Sequence, residues 1–280
     1  MTSLDWKDVF KRVKAKAKAD NITLLAAGVA LYGLLALVPG LVALISAYGL
    51  LADPADVGDQ VVDALSAAPE EVRTMITQQL TSIADGDSSG ALLGVIIGLA
   101  VALWAASSGV GHLIEALNVA YGEEETRGWG KRKALALVFT IGAVLFLVVA
   151  LGSIALLPAL LAESGLGDVG RWAAGGVRWV ILLGGMLMAL AVLYRYGPDR
   201  KHASWRWISP GAVLAAVMWL LASIAFSVYT ANFGRYNETY GSLGAIVVVM
   251  LWLVISAAAV LLGAELNAEL ERATGTRERL

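Results

Sequence analysis

Six long apolar runs without Asp or Glu divide the chain, at about residues 23–51, 90–111, 134–161, 177–194, 210–232 and 242–264. A helix that crosses bilayer hydrocarbon needs roughly 20 apolar residues, and backbone groups in lipid must pair within the segment. Each run therefore predicts a transmembrane helix. The fourth is the shortest, with 16 residues between Arg178 and Arg195, whose long side chains can snorkel to the two interfaces. Ser209 and Pro210 suit the N-cap and first position of the fifth helix, and Pro39 inside the first predicts a kink. The pattern gives an all-α, polytopic membrane bundle of six transmembrane helices.

Two further segments repeat at helical spacing without being apolar throughout. In the N-terminal arm, residues 1–20, Trp6, Val9, Phe10 and Val13 form one stripe and Lys7, Lys11, Lys14 and Lys18 another. That suits an interfacial helix on an anionic leaflet, or a topology signal with no further role. Between the first two spans, residues 52–89 hold eight acidic residues against Arg73 alone. Pro69-Glu70-Glu71 followed by Val72, Met75, Ile76, Leu80 and Ile83 predicts short amphipathic helices over the outer mouth of the bundle.

Composition agrees: 58% of the 280 residues are hydrophobic and 16% charged, with a mean hydropathy of +0.72. Charge then sets orientation. Of 21 lysines and arginines, 17 fall in the arm, the 2–3 loop, the 4–5 loop and the tail, which places both termini in the cytoplasm. The first apolar run is about twice as long as a signal-peptide core and reads as a retained helix. Cysteine is absent and only His112 and His202 are present, which excludes disulfide, iron–sulfur and multi-histidine metal chemistry. No phosphate-binding loop is present, so ATP hydrolysis by this chain is not expected.

Three features are candidates for chemistry. Gly90, Gly94, Gly98, Ala102 and Ala106 put a small residue at every fourth position of the second span, which permits close helix approach, within one bundle or across a homodimer. Ser108, His112 and Glu115 share one helix face. They read as a serine hydrolase, as a metal site too poor in ligands, or as a polar stripe that satisfies itself against neighbouring helices or lines a cavity, and the last is preferred. Glu265, Asn267, Glu269 and Glu271 end the sixth span, although acids are unfavourable at a helix C-terminus unless offset. They form either a salt-bridged boundary or a polar vestibule with Glu115.

The stretches "NITLLAAGVALYGLLALVPGL", "LWAASSGVGHLIEALNVAYGEEETRGWGKRK" and the long C-terminal block containing "YGSLGA" and "LLGAELNAELE" resemble the YihY/BrkB family of bacterial inner-membrane proteins, also known by the historical label ribonuclease BN. The likeness covers about residues 6–272. It implies an envelope role, with lipid movement suggested, and it marks Glu115, Asn118, Tyr121 and Arg127, then Tyr194, Tyr196, Gly197 and Pro198. It also marks Tyr236, Asn237, Tyr240 and Gly241, and finally Gly263, Glu265, Asn267 and Glu269. The nuclease label finds no support: the HxHxDH signature of the soluble zinc phosphodiesterases is missing, and the short basic segments adjoin spans.

The expectation is thus a plasma-membrane protein with a basic arm (1–20), a six-helix domain (21–272) and a tail (273–280), handling a lipid or other amphipathic envelope molecule. It would be neither an enzyme nor a nucleic-acid binder and would carry no cofactor or metal. Ser108, His112, Glu115, Asn118, Glu265 and Asn267 are the candidate binding residues, and membrane lipids the expected partners. A scaffold acting through the acidic outer segment is the alternative.

Overall fold

Every expected span is recovered as a helix, and the differences lie at the helix ends. The computed structural model describes residues 6–49, 89–162, 167–200, 209–231 and 242–273. Among these, all regular structure is helical: α1 (Trp6–Ala19), α2 (Ile22–Gly49), α3 (Ser89–Tyr121), α4 (Trp129–Ala162), α5 (Gly167–Tyr196), α6 (Pro210–Ala231) and α7 (Ser242–Ala273). The acidic segment between α2 and α3, the turn holding Tyr236, Asn237, Tyr240 and Gly241, and the tail lie outside the described residues.

Two helices run well past the end of their apolar run. α3 continues to Tyr121 and α7 to Ala273, so the carboxylates of α7 sit on the helix itself. Charge does not end a helix whose residues are good helix formers. What ends α3 is Gly122, at φ 65°. The amides of Gly122 and Glu123 donate to the carbonyls of Val119 and Asn118, the paired bonds of a Schellman stop. Pro39 lies inside α2, which continues past it to Gly49.

Five stretches are long and apolar enough to span a membrane alone: Ile96–Tyr121, Trp129–Ser153, Gly176–Tyr196, Pro210–Tyr229 and Ile246–Ala273. The pair Trp6–Ala19 and Ile22–Leu37, bent by 61°, passes together and gives up to six spans among the described residues. Within each of the five, only 11–22% of the most apolar stretch is buried in the chain. Ile97, Val138, Val180, Leu221 and Val247 are among the large side chains left exposed. An apolar surface of that extent calls for lipid around it.

The elbow between α1 and α2 falls at Asp20 and Asn21. Asn21 has φ 51°, which asparagine tolerates better than most residues, and its carbonyl accepts from the amides of Leu24 and Leu25 to start α2. α1 is more than a topology signal, because half of its apolar stripe is packed. Val9 and Val13 are buried against Leu266 and Leu270 of α7, and Arg12 lies 3.4 Å from Glu269. Trp6 and Phe10 stay exposed, with ring centroids 6.2 Å apart.

The chain divides into two units. The first comprises Met1–Leu34, Gly109–Leu135 and Met186–Leu280, and the second Leu35–Ser108 and Ala136–Gly185. In the second, Ala102 from the small-residue stripe is buried with Val144 of α4. Its buried hydroxyls bond within their own helices: Ser107 to the carbonyl of Trp104, Thr140 to that of Ala136 and Ser153 to that of Ala150. This is how an isolated hydroxyl is accommodated in lipid without a partner helix.

The first unit is built on the crossing of α6 and α7, which pack along alanines: Ala212, Ala215 and Ala216 on one side, Ala257, Ala264 and Ala268 on the other. At Gly211 and Gly263 the two backbones nearly touch. A Cβ on Gly211 would be driven into the carbonyl of Gly263 and the amide of Asn267, and one on Gly263 into the carbonyl of Gly211 and the hydroxyl of Tyr194. Gly28 has nothing within 4 Å of its Cβ position. Gly211→Ala should therefore cost about 1–3 kcal/mol of stability through overpacking, whereas Gly28→Ala should not destabilise. Thermal unfolding of the two variants in the same detergent checks the contrast.

Candidate functional site

The ionisable and amide side chains near the C-terminal ends of α3, α5 and α7 belong to the first unit, and most of them fall into three groups. The first is centred on Asn267. Its Oδ1 accepts from the amide of Gly211 at 2.8 Å, and its Nδ2 donates to Ser209 Oγ at 3.0 Å and Tyr121 Oη at 3.3 Å. Ser209 Oγ in turn accepts from the amide of Ala212 at 3.2 Å, so the expected N-cap is present. Pro210 lacks an N–H, so a serine on the chain and an asparagine from α7 satisfy the orphan donors at the start of α6 between them. Tyr194 completes this layer by donating to the carbonyl of Val260 at 2.7 Å.

Arg200, with a side chain only 7% exposed, ties the same region from the other direction. Its Nη1 donates to both carboxylate oxygens of Glu271 at 2.9 Å, and its Nη2 to the carbonyl of Tyr194 at 2.5 Å. Its guanidinium lies 4.2 Å from the centroid of the Tyr121 ring. One arginine thus joins the end of α5, the end of α7 and the last residue of α3. Arg272 pairs with Glu269 and donates to the carbonyl of Tyr121 at 3.4 Å. These cations offset the acids that would otherwise face a helix C-terminus.

The second group clasps the loop after α3 to the loop after α5. Asn118 donates to Glu125 at 2.9 Å and accepts from the amide of Asp199 at 2.8 Å. Arg127 grips Glu125 with two bonds of 2.7 Å and donates to the carbonyl of Gly197 at 2.8 Å. Thr126 donates to Asp199 through its amide at 2.8 Å and its hydroxyl at 2.5 Å. The hydrogen bonds from Arg127 hold Glu125 below its ordinary value of 4.5, and those from Thr126 hold Asp199 below 3.8.

The third group is more open. Glu115 Oε1 accepts from Arg132 at 2.7 Å and Oε2 lies 3.0 Å from His112 Nδ1. The His112 ring stacks on Tyr32 with centroids 3.5 Å apart. Side chains from α2, α3 and α4 meet here, and Glu115, His112 and Arg132 remain 42%, 34% and 34% exposed.

Glu265 stands apart from all three. It is fully buried, and no hydrogen bond reaches either carboxylate oxygen.

The six sequence-derived candidates therefore separate. Asn118 and Asn267 hold helix ends and loops, Glu115 and His112 share the open group, Glu265 is enclosed, and Ser108 is exposed and belongs to the second unit. Among the described residues no three His, Asp or Glu side chains are grouped as metal ligands. The sequence counts Arg200 only among the basic residues of its loop, offers Arg132 within Lys131–Lys133 as a partner for the acids, and gives no signal for Asp199. The Gly197-Pro198 turn, which swings Arg200 back toward the acids of α7, was the signal for the first of these.

Residues 13–280 match the family described as virulence factor BrkB. The chain belongs to the BrkB family. Among BrkB relatives, the ribonuclease-like protein YfkH of Bacillus subtilis (strain 168) is 34% identical over 215 residues, 73% of this chain and 74% of that protein. A UPF0761 membrane protein of Alteromonas mediterranea is 26% identical over 277 residues, 95% of this chain and 89% of that one. Another, from Tolumonas auensis, is 39% identical over 92 residues, 33% of this chain and 29% of its own length. No solved structure matches. With the apolar spans already described, this membership makes the chain a multi-pass membrane protein.

Two outcomes follow from these contacts. Arg200→Ala should cost about 3–5 kcal/mol, since it strands a partly buried carboxylate, and a fall in melting temperature in detergent measures it. In the clasp, both carboxyls are held below their ordinary values, so their contribution to stability is full above pH 4.5. It is lost as pH falls through the lower native values. Melting temperature followed downward from neutral pH should drop more in the native protein than in Arg127→Gln.

Proposed function

We propose that this BrkB-family protein resides in the bacterial plasma membrane, with both termini cytoplasmic, and holds or moves a lipid or another amphipathic envelope molecule without a cofactor. One observation carries the reading: the half-exposed group of Tyr32, His112, Glu115 and Arg132 at the junction of three helices. It offers an acid, a base, a guanidinium and an aromatic face to a polar headgroup. Exposed Leu31 on α2 and exposed Val119 on α3 provide apolar surface on the same helices for acyl chains. The clasp and the Asn267 layer are engaged in holding the helices, whereas this group is part exposed where three helices meet.

The 17 basic residues on the expected inner side support the orientation. Catalysis has no comparable support. The ribonuclease-like name is that of the Bacillus relative, and the other two relatives are named only as membrane proteins.

The test is native mass spectrometry of full-length protein from a mild detergent, together with movement of a fluorescent phospholipid in proteoliposomes. Glu115→Gln and Arg132→Gln should each lower lipid retention and movement about tenfold, the loss of one charge-assisted contact of about 1.4 kcal/mol. Their melting temperatures should stay close to native. Unchanged retention and movement in both variants would overturn the reading.

A further inference from the structure

The buried carboxyl of Glu265 has no role in the lipid-handling reading or in holding the helices. It lies on α7 with 0% of its surface exposed and with both oxygens lacking a hydrogen-bond partner. Ile22 and Ala26 at the start of α2 are buried in one cluster with Ala264 and Ala268, which bracket Glu265 on α7, so the elbow between α1 and α2 packs beside it. The charged groups that act on it are Asp20 and Lys16 of that elbow and Arg272 from farther along α7. Lys16 is already bonded to Asp20. Arg272 is bonded to Glu269, which also faces Arg12. Tyr121 and Tyr194 look elsewhere, toward Asn267 and the carbonyl of Val260.

The charge balance is therefore uneven. Two carboxyls meet one ammonium, and that ammonium is bonded to the more exposed carboxyl. An ionised Glu265 would be an uncompensated charge out of reach of water, a state that proteins avoid by neutralising the group. Two carboxyl groups sharing one site commonly hold a single proton between them. The surroundings are too poor in oxygen ligands for a metal ion, which takes six or more when it is calcium or magnesium.

We propose that Glu265 and Asp20 form a proton-binding site joining α7 to the α1–α2 elbow, with Lys16 setting its charge balance. The site sits beside a hinge. α1 is held on α7 by Val9 and Val13 against Leu266 and Leu270 and by Arg12 against Glu269. The left-handed Asn21 carries the 61° bend. Loss of the proton places two carboxylates against each other at the elbow and pushes α1 away from α7. Binding of the proton restores the contact. The inference holds whatever molecule the protein carries, because it concerns only these residues.

The test uses full-length protein in lipid nanodiscs and pH-difference infrared spectroscopy. The native protein should show a protonated-carboxyl band at neutral pH that disappears reversibly as pH rises, and Glu265→Gln should lack it. Asp20→Asn frees Lys16 to pair with Glu265 and should move the loss of the band to lower pH. Lys16→Gln removes the cation and should move it to higher pH. The chain has no cysteine, so a spin label on Phe10→Cys reports α1 alone. Its mobility should rise over the same pH interval, and should not change with pH when Glu265→Gln is added.

A band that survives Glu265→Gln would overturn the proposal, as would equal or same-direction shifts in the Asp20 and Lys16 variants. So would a carboxylate signal that responds to sodium or potassium at constant pH, which would assign the site to a metal cation. If Glu265→Gln fails to fold, the opposite shifts of the other two variants still decide.

Discussion

The close crossing of α6 and α7 is the contact on which the rest of the polar end depends. Gly211 and Gly263 let the backbones approach until no side chain fits between them. That approach brings the amide of Asn267 within reach of the first free N–H of α6. In a lipid environment, helices gain little from burying apolar surface against one another, so small residues and interhelical hydrogen bonds supply the association. Here both come from one turn of each helix. With Asn267 fixed, Tyr121 and Ser209 are fixed through it, and Tyr121 in turn underlies the Arg200 guanidinium that ties α5 to α7. A disturbance at the crossing would therefore reach all three helix ends.

What the sequence made legible follows from where a single rule governs. The spans were readable because the bilayer leaves helices as the main option and fixes their length. The start of α6 was readable because Ser-Pro is a local signal. The acids and amide at the end of α7 were readable as a helix end, but their partners were not, because these are nonlocal: Arg12 from α1, Arg200 from the loop after α5, and the start of α6. The role of Arg200 was hidden for a related reason. Positive charge in the loops between spans already has an explanation in topology, and that explanation masks an arginine with a second, structural task.

The same reasoning separates the site candidates. Asn118 and Asn267 stood out as amides near helix ends, a position equally suited to lining a cavity and to capping. Their partners decide between these: each amide oxygen accepts from a backbone N–H at a turn or a helix start, and each Nδ2 donates to a side chain of a loop or cap residue. Glu115 is different, because its partners Arg132 and His112 are themselves part exposed. An ion pair in that position gains little stability, so its presence at a helix junction is not explained by folding.

Acidic residues at the end of a span raise an electrostatic difficulty that the chain resolves in two ways. Glu269 and Glu271 are neutralised by arginines, two of which reach them from other parts of the chain: Arg12 on α1 and Arg200 after α5. The neutralisation thereby doubles as tertiary bonding. Glu265, one turn closer to the apolar run, is bonded to none of them. A helix built only to end at the interface would have no reason to keep a carboxyl there. Leucine or alanine would pack as well, without the penalty of burying a polar group. Unlike Glu269 and Glu271, Glu265 contributes no bond to the helix end, so its burial is a cost that folding alone does not explain.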